Sequence, residues 1–318
     1  MRKIIGEIKF DFMGRHQFAY IVSGTLLTIA ILAIVIRGLN LGVDFTGGYT
    51  IEVGYEQAAD LGAIRAAIAE AELPDSVVQT FGTSTDVLIR MAPLEGANSA
   101  DISTEVLRVL ARSADADPAG SAVTMRRVEF VGPQVGEELR EKGGIAILTA
   151  LFGIIIYIWF RFEKKFSVGS VLALVHDVVI TVGFFALFQI EFDLTILAAI
   201  LAVIGYSLND TIVVFDRIRE NFRLMRTGTP AEIMNSSISQ TLSRTVITSG
   251  TTLLVLLSLF FLGGKIIHGF SLALLVGVII GTYSSIFVAS LAVLRLGITK
   301  EDLMPVEKEG ADLDDVMP

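Results

Sequence analysis

Cysteine is absent from the 318 residues, which excludes disulfides, thiolate metal ligation and a cysteine nucleophile. Histidine is scarce: His16, His176 and His268 are too scattered in sequence to propose a metal site. Charged residues make up 19% of the chain against 53% hydrophobic, and the mean hydropathy is +0.67. That balance lies far outside soluble globular usage and reads as a polytopic α-helical membrane protein. No phosphate loop and no nucleophile–base arrangement is present in the pattern, so neither an enzyme nor a cofactor is expected. The net charge of −9 lends no support to nucleic-acid binding. In a membrane chain the placement of Lys and Arg decides orientation, and the total charge does not.

Arg2, Lys3, Lys9 and Arg15 precede an apolar run that is too long for a signal peptide and lacks a small-residue cleavage site. It reads as an uncleaved first transmembrane helix. Six runs are long enough to span a bilayer, at 18–36, 144–160, 168–188, 194–214, 246–262 and 269–294. Arg161, Lys164 and Lys165 lie between the second and third, and Arg217, Arg219, Arg223 and Arg226 between the fourth and fifth. The third-to-fourth connection carries Glu191 and Asp193 instead. The positive-inside rule then places both termini in the cytoplasm, with Lys265 dissenting.

The chain divides into a cytoplasmic N-terminus (1–17), a first span (18–37), one extracytoplasmic domain (38–143), a five-helix bundle (144–296) and an acidic cytoplasmic tail (297–318). Within the outer domain, alternation and turn residues predict strands at 49–53, 76–81, 86–91 and 122–131 and helices at 58–72 and 99–114. Gly82-Thr83-Ser84-Thr85 is expected as a turn. The order βαββαβ is that of an α+β ferredoxin-like fold. Such a domain either contacts another polypeptide or serves as a passive spacer. On the cytoplasmic side, Thr229-Pro230-Ala231-Glu232 has the form of a helix start, and Met234, Ile238 and Leu242 share a stripe. A separate helix near 229–243 is expected, either at the membrane interface or as a loop helix.

The fourth run ends in Asn209 and Asp210 while still at hydrocarbon depth. A charge at a helix centre costs ~2.5 kcal/mol or more, so such residues face a partner, a cavity or an ion path. Asp210 lies roughly 9 Å past the middle of its span by the helical rise. Arg244, at the start of the fifth span, is either an interfacial anchor or reaches inward to Asp210. Thr248, Ser249, Thr251 and Thr252 follow it, as packing residues or as a polar path. His176-Asp177 falls near the centre of the third span, as a proton relay or as a neutral hydrogen-bonded pair. Gly277 and Gly281 give a GxxxG spacing that suggests a helix contact.

Four motifs occur in order within this topology. They are Asp44-Phe45-Thr46-Gly47-Gly48, Val131-Gly132-Pro133-Gln134-Val135-Gly136, the stretch from Gly205 to Asn221, and Ser243-Arg244-Thr245. On these the chain resembles, over essentially its whole length, the SecF branch of the SecD/SecF protein-export family, within the resistance-nodulation-division superfamily. The resemblance implies a bacterial inner-membrane subunit that pairs with SecD, associates with the SecYEG translocon and assists late translocation of preproteins using the proton-motive force. It also implies that Asp210 and Arg244 are the positions concerned with proton use. Asn209 stands where the SecD motif carries its acid, and His176-Asp177 fits the third-helix pattern. The competing classes are a small-molecule or lipid exporter of the same superfamily and a structural subunit with no proton path of its own.

Overall fold

The computed structural model describes residues 10–71, 73, 76–93, 99–115, 123–225 and 227–303. The basic residues before position 10 and the acidic tail from 304 onward lie outside them. The chain opens with helix α1 (His16–Arg37), a single turn α2 (Val43–Thr46) and strand β1 (Gly48–Tyr55). Helix α3 (Leu61–Glu70), β2 (Val77–Phe81), β3 (Thr83–Met91), α4 (Ser99–Asp115) and β4 (Val123–Val131) complete a sheet domain. The bundle follows as α5 (Pro133–Arg161), α6 (Lys164–Phe188), α7 (Leu194–Leu224) and α8 (Pro230–Leu262). Its last member is α9 (Gly264–Ser284), a π-helical turn (Ser285–Ala289) and α10 (Ser290–Arg295). Six helices are long and apolar enough to cross a membrane, so the chain is a polytopic helical membrane protein.

The spans extend well beyond their apolar runs. Helix α5 begins at Pro133, which occupies the first position behind the Gly132 N-cap, where a missing N–H costs nothing. Helix α8 starts at Pro230 behind a complete capping box, Thr229 with Glu232, and runs unbroken for 33 residues. The separate helix expected near 229–243 is therefore the first part of the fifth span. Its stripe drives this: Ile233, Met234 and Ile238 are fully buried against Phe215, Ile218 and Phe222 of α7 and against Phe12 and Met13. Arg161 pairs with Asp216 at 2.8 Å and Arg219 with Glu163 at 2.9 Å, tying α5, α6 and α7 together at this end.

The sheet domain has the expected element order, with an antiparallel sheet ordered β2-β3-β1-β4. Tyr49, Ile51, Val53, Val87 and Ile89 face α3 and α4, whose Ile64, Ile68, Ile102, Val106 and Leu110 complete the core. The turn between β2 and β3 is shorter than expected: Gly82, at φ 79°, makes the reversal and the strand resumes at Thr83. Only a residue without Cβ takes that backbone readily, so the threonines around it, being β-branched, return to the ladder.

The domain is joined to the bundle where two glycine motifs cross. Gly47 and Gly48 have φ 70° and 130°. A Cβ on Gly47 would lie 2.8 Å from Pro133 Cα, one on Gly48 2.4 Å from Met91 O, and one on Gly136 2.7 Å from Gly47 N. Backbone thus meets backbone at the junction, which fixes where β1 leaves α1 and where β4 becomes α5.

Candidate functional site

Tight helix contacts bring the intramembrane polar residues together. Helix α9 lies on α7 through its GxxxG face: a Cβ on Gly277 would sit 2.1 Å from Val203 Cγ2, and one on Gly281 3.0 Å from Ser207 Cβ. Gly183 of α6 meets Ala30 of α1 and Gly169 of α6 meets Val293 of α10 in the same manner. Small residues permit this approach where lipid supplies no hydrophobic drive between helices.

At the centre lies Asp177, fully buried. Its Oδ2 accepts hydrogen bonds from Ser207 Oγ at 2.5 Å and Ser284 Oγ at 2.7 Å, from α7 and α9 respectively. Its Oδ1 meets His176 Nδ1 at 2.8 Å. Asp177 is therefore a hub that joins three helices, with both carboxyl oxygens hydrogen-bonded. His176 Nε2 is buried without a hydrogen-bond partner, and its ring lies 6.2 Å from that of Tyr283. Tyr283 OH donates to Ala19 O at 3.1 Å, which ties α1 to the same region. The π-helical turn begins immediately after Ser284, a local widening of the helix that is frequent at functional sites.

One turn along α7, Asp210 is 3% exposed and accepts a hydrogen bond from Ser249 Oγ at a long 3.4 Å. Ser249 is also paired with Thr282 Oγ1 at 2.8 Å, and Tyr206 OH reaches Thr252 at 3.4 Å. Arg244 is exposed, close enough to act on the Asp210 carboxyl by its charge, yet no ion pair joins the two. Thr248 and Thr251 are exposed and return their hydroxyls to the α8 backbone. Asn209, one position and about 100° away from Asp210, points out of the bundle.

The two acids therefore differ in kind. Asp177 holds three short hydrogen bonds, two of them from other helices, whereas Asp210 is buried but held by one long bond, with the exposed Arg244 near enough to act on it by charge. A carboxyl of the second kind can change partner or proton at little cost to the surrounding packing.

The remaining motif residues build the junction. Asp44 Oδ2 accepts from Leu194 N at 3.1 Å, so it caps the start of α7, and Phe45 is buried with its ring 6.1 Å from Phe192. Thr46 Oγ1 donates to Gly42 O at 3.2 Å. Gly47, Gly48, Pro133 and Gly136 make the close crossing, Gly132 is the N-cap of α5 with open space around it, and Gln134 is exposed. Ser207, Ser284 and Thr282 were not singled out from the sequence. A serine in an apolar helix is an ordinary packing residue unless a carboxyl on another helix is known to face it.

Residues 113–299 match the family model described as protein export membrane protein SecD/SecF, C-terminal, and residues 32–59 match the SecD/SecF GG motif. The protein translocase subunit SecF of Vibrio alginolyticus is 53% identical over 98% of this chain and 98% of its own. That of Escherichia coli O157:H7 is 48% identical over 98% of this chain and 96% of its own. The crystal structure of SecDF, a translocon-associated membrane protein from Thermus thermophilus, matches with TM-score 0.81 and 39% identity, over 90% of this chain. This chain spans 38% of that longer one.

Fold and polar core define a multi-pass helical membrane protein whose bundle buries ionisable groups away from lipid. The chain belongs to the SecD/SecF family of protein-export membrane proteins.

Proposed function

We propose that this chain is the SecF-type subunit of the accessory complex of the Sec preprotein translocase, and that it couples the proton-motive force to late-stage export. In this reading it lies in the bacterial inner membrane with both termini cytoplasmic, pairs with SecD and acts beside SecYEG on translocating preproteins. The sheet domain is then an extracytoplasmic, ferredoxin-like domain. The arginines and lysines at the Arg161 and Arg219 end support that orientation, as does the absence of Lys and Arg from the Glu191–Asp193 turn.

The observation that carries the proton reading is the state of Asp210: buried within a span, held by one long hydrogen bond, with Arg244 near but unpaired. Protonation changes the attraction between the two and so biases helix α8 against α7. One charge moving through 100 mV is worth ~2.3 kcal/mol, enough to shift a two-state arrangement by roughly fiftyfold. Asp177, hydrogen-bonded by Ser207 and Ser284, serves to hold α6, α7 and α9 in register. Arg244 and Asn209 are both exposed, and contact with helices of the SecD partner would spare each of them from lipid, a poor solvent for them.

The test is proton-gradient-driven translocation in membrane vesicles carrying Asp210→Asn or Arg244→Ala in the assembled complex. Late-stage export falls in both variants while complex assembly is retained. Undiminished export would leave the chain as a structural subunit and defeat the proton reading.

A further inference from the structure

At the end of the bundle marked by Arg161 and Arg219, most cations are engaged within the chain. Arg161 pairs with Asp216 at 2.8 Å, Arg219 with Glu163 at 2.9 Å, Lys165 with Asp302 at 2.7 Å and Arg217 with Glu220 at 2.5 Å. Arg223 Nε donates to Leu303 O at 3.1 Å and Lys300 Nζ to Met225 O at 2.8 Å. Two exposed arginines at this end differ, because among the described residues neither Arg295 nor Arg15 has a carboxylate paired with it. Arg295, at the end of α10, donates through Nε to Tyr20 OH of α1 at 3.0 Å, and its guanidinium carbon lies 5.5 Å from the centre of that ring. Arg15, five residues before Tyr20, lies over the Phe10 ring at 4.6 Å. Asp11 acts on Arg15 by charge, but its carboxylate already accepts from Gly14 N and Asn235 Nδ2, each at 2.7 Å. His16 stands beside Tyr20 with ring centres 6.1 Å apart, and its Nδ1 is 3.1 Å from Met13 O.

The free donors of this cluster call for an anion. With Nε given to Tyr20, the Arg295 guanidinium keeps both terminal nitrogens, and the phenol, which accepts from Nε, keeps its own proton to donate. Bonded at one edge and laid against a ring, the guanidinium is a fixed fork of the kind that matches two oxygens of a phosphate. The surroundings decide which anion. Tyr20 is 44% exposed and its neighbour Ile21 68%, and Leu296 follows Arg295 at 42%, so the fork opens on an apolar rim. Arginine and tyrosine at the end of a span sit at headgroup depth. Above Tyr20 on the same face of α1, at helical spacing, come Gly24, Thr28 and Ile31, all exposed, and a Cβ on Gly24 would meet nothing within 4 Å. That face can take an acyl chain, which a soluble phosphate has no use for. The local charge is in excess of positive sign, and the nine residues before Phe10 add Arg2, Lys3 and Lys9 against Glu7.

We propose that Arg295 and Tyr20 form a seat for the phosphate of an anionic phospholipid such as phosphatidylglycerol, with Arg15 as the second cation and the Gly24–Ile31 face of α1 as the bed for an acyl chain. A headgroup with no cation of its own is preferred there over a zwitterionic one, because the two guanidiniums have no other counter-charge. The seat stands whether or not Asp210 handles protons. Only the leaflet that supplies the lipid rests on the proposed orientation.

Because the chain has no cysteine, Ile21→Cys gives a single site for a bimane label beside Tyr20. Brominated acyl chains quench such a label on contact. The full chain, with cysteine-free SecD, is placed in vesicles of phosphatidylcholine and phosphatidylglycerol of one fixed composition, with the bromine carried by one lipid or by the other. The two quenching levels give the affinity of the site for phosphatidylglycerol relative to phosphatidylcholine. The expected preference is roughly fivefold or more, the worth of one cation near a membrane surface. Arg295→Gln brings it close to unity, and Arg15→Gln and Tyr20→Phe each lower it in part. Arg161→Gln, which removes the same charge from the same end, leaves it unchanged, as does inorganic phosphate added against chloride of matched ionic strength. The seat is overturned by a preference near unity in the parent, by one that survives Arg295→Gln, or by an equal loss in Arg161→Gln, which would mean surface charge alone. Competition by inorganic phosphate would make the occupant a soluble anion, and a label quenched by neither lipid would mean that partner helices cover the face; either result also defeats the proposal.

Discussion

Adding one methyl group at Gly277 would place it 2.1 Å from Val203 Cγ2, 2.6 Å from Cγ1 and 3.0 Å from Cβ. Val203 is fully buried between α7 and α9, so its side chain has no open space into which to turn. The helices must separate instead. Overpacking of this kind costs about 1–3 kcal/mol. Val203→Ala alone also destabilises, by ~1–3 kcal/mol, because two buried methyl groups leave a void. In the double variant the new methyl occupies space that Val203 vacates. Gly277→Ala combined with Val203→Ala is therefore expected to be less destabilised than the sum of the singles, by about 1 kcal/mol or more. Reversible unfolding of the purified chain in mixed micelles, titrated with SDS, gives all four stabilities. The separation also reaches the polar core, since Gly281 lies against Ser207 one turn further on. Equal stability of Gly277→Ala and the parent, or strict additivity of the two changes, would refute the packing argument.

Two further outcomes follow from the hydrogen bonds. Ser207→Ala and Ser284→Ala each remove one donor to Asp177 Oδ2 and are expected to cost about 0.6–1.7 kcal/mol in the same SDS titration. If neither lowers stability, Asp177 is no hub. At the opposite end of the chain, Lys165 beside Asp302, with the Thr299 N–H and hydroxyl, holds that carboxyl below its ordinary value of 3.8. A depressed carboxyl lends its stability at neutral pH and loses it as pH falls through the ordinary value toward the folded one. Hydrogen exchange of residues 298–303 should thus stay slow down to about pH 5 and quicken below about pH 4, with Lys165→Met lessening the acid dependence that the Thr299 bonds retain in part. Protection that persists through the acid range in the parent would contradict it.

What the sequence by itself determined follows from local chemistry. Hydropathy and length specify six spans, because a helix in hydrocarbon must satisfy its own backbone and needs about twenty apolar residues to cross. Alternation specifies the strands of the sheet domain, and Thr229, Pro230 and Glu232 mark a helix start because capping is settled within one turn. The intramembrane acids were legible for the same reason: Asp177 and Asp210 are costly wherever their helices pack.

Helix ends were legible only in part. Hydropathy registers the apolar portion of α5, α7 and α8, whereas the helices continue through polar residues once formed. The continuity of 230–262 was decided by a core in which Met234 and Ile238 meet Phe215, Phe222 and Phe12 from distant parts of the chain.

Only tertiary structure decided which partner each acid has. Ser284 stands 107 residues from Asp177, and it arrives there because Gly277 and Gly281 let α9 approach α7 to contact distance. Sequence left Arg244 as either an interfacial anchor or a residue reaching Asp210; in the fold it is exposed, and it is Ser249 that hydrogen-bonds the acid. The Arg90–Glu191 contact has no local signal at all, since one residue lies on β3 and the other on the connection between α6 and α7. Periodicity records which face of a helix is apolar. It does not record which neighbour that face will meet, and the chemistry of this protein resides in those meetings.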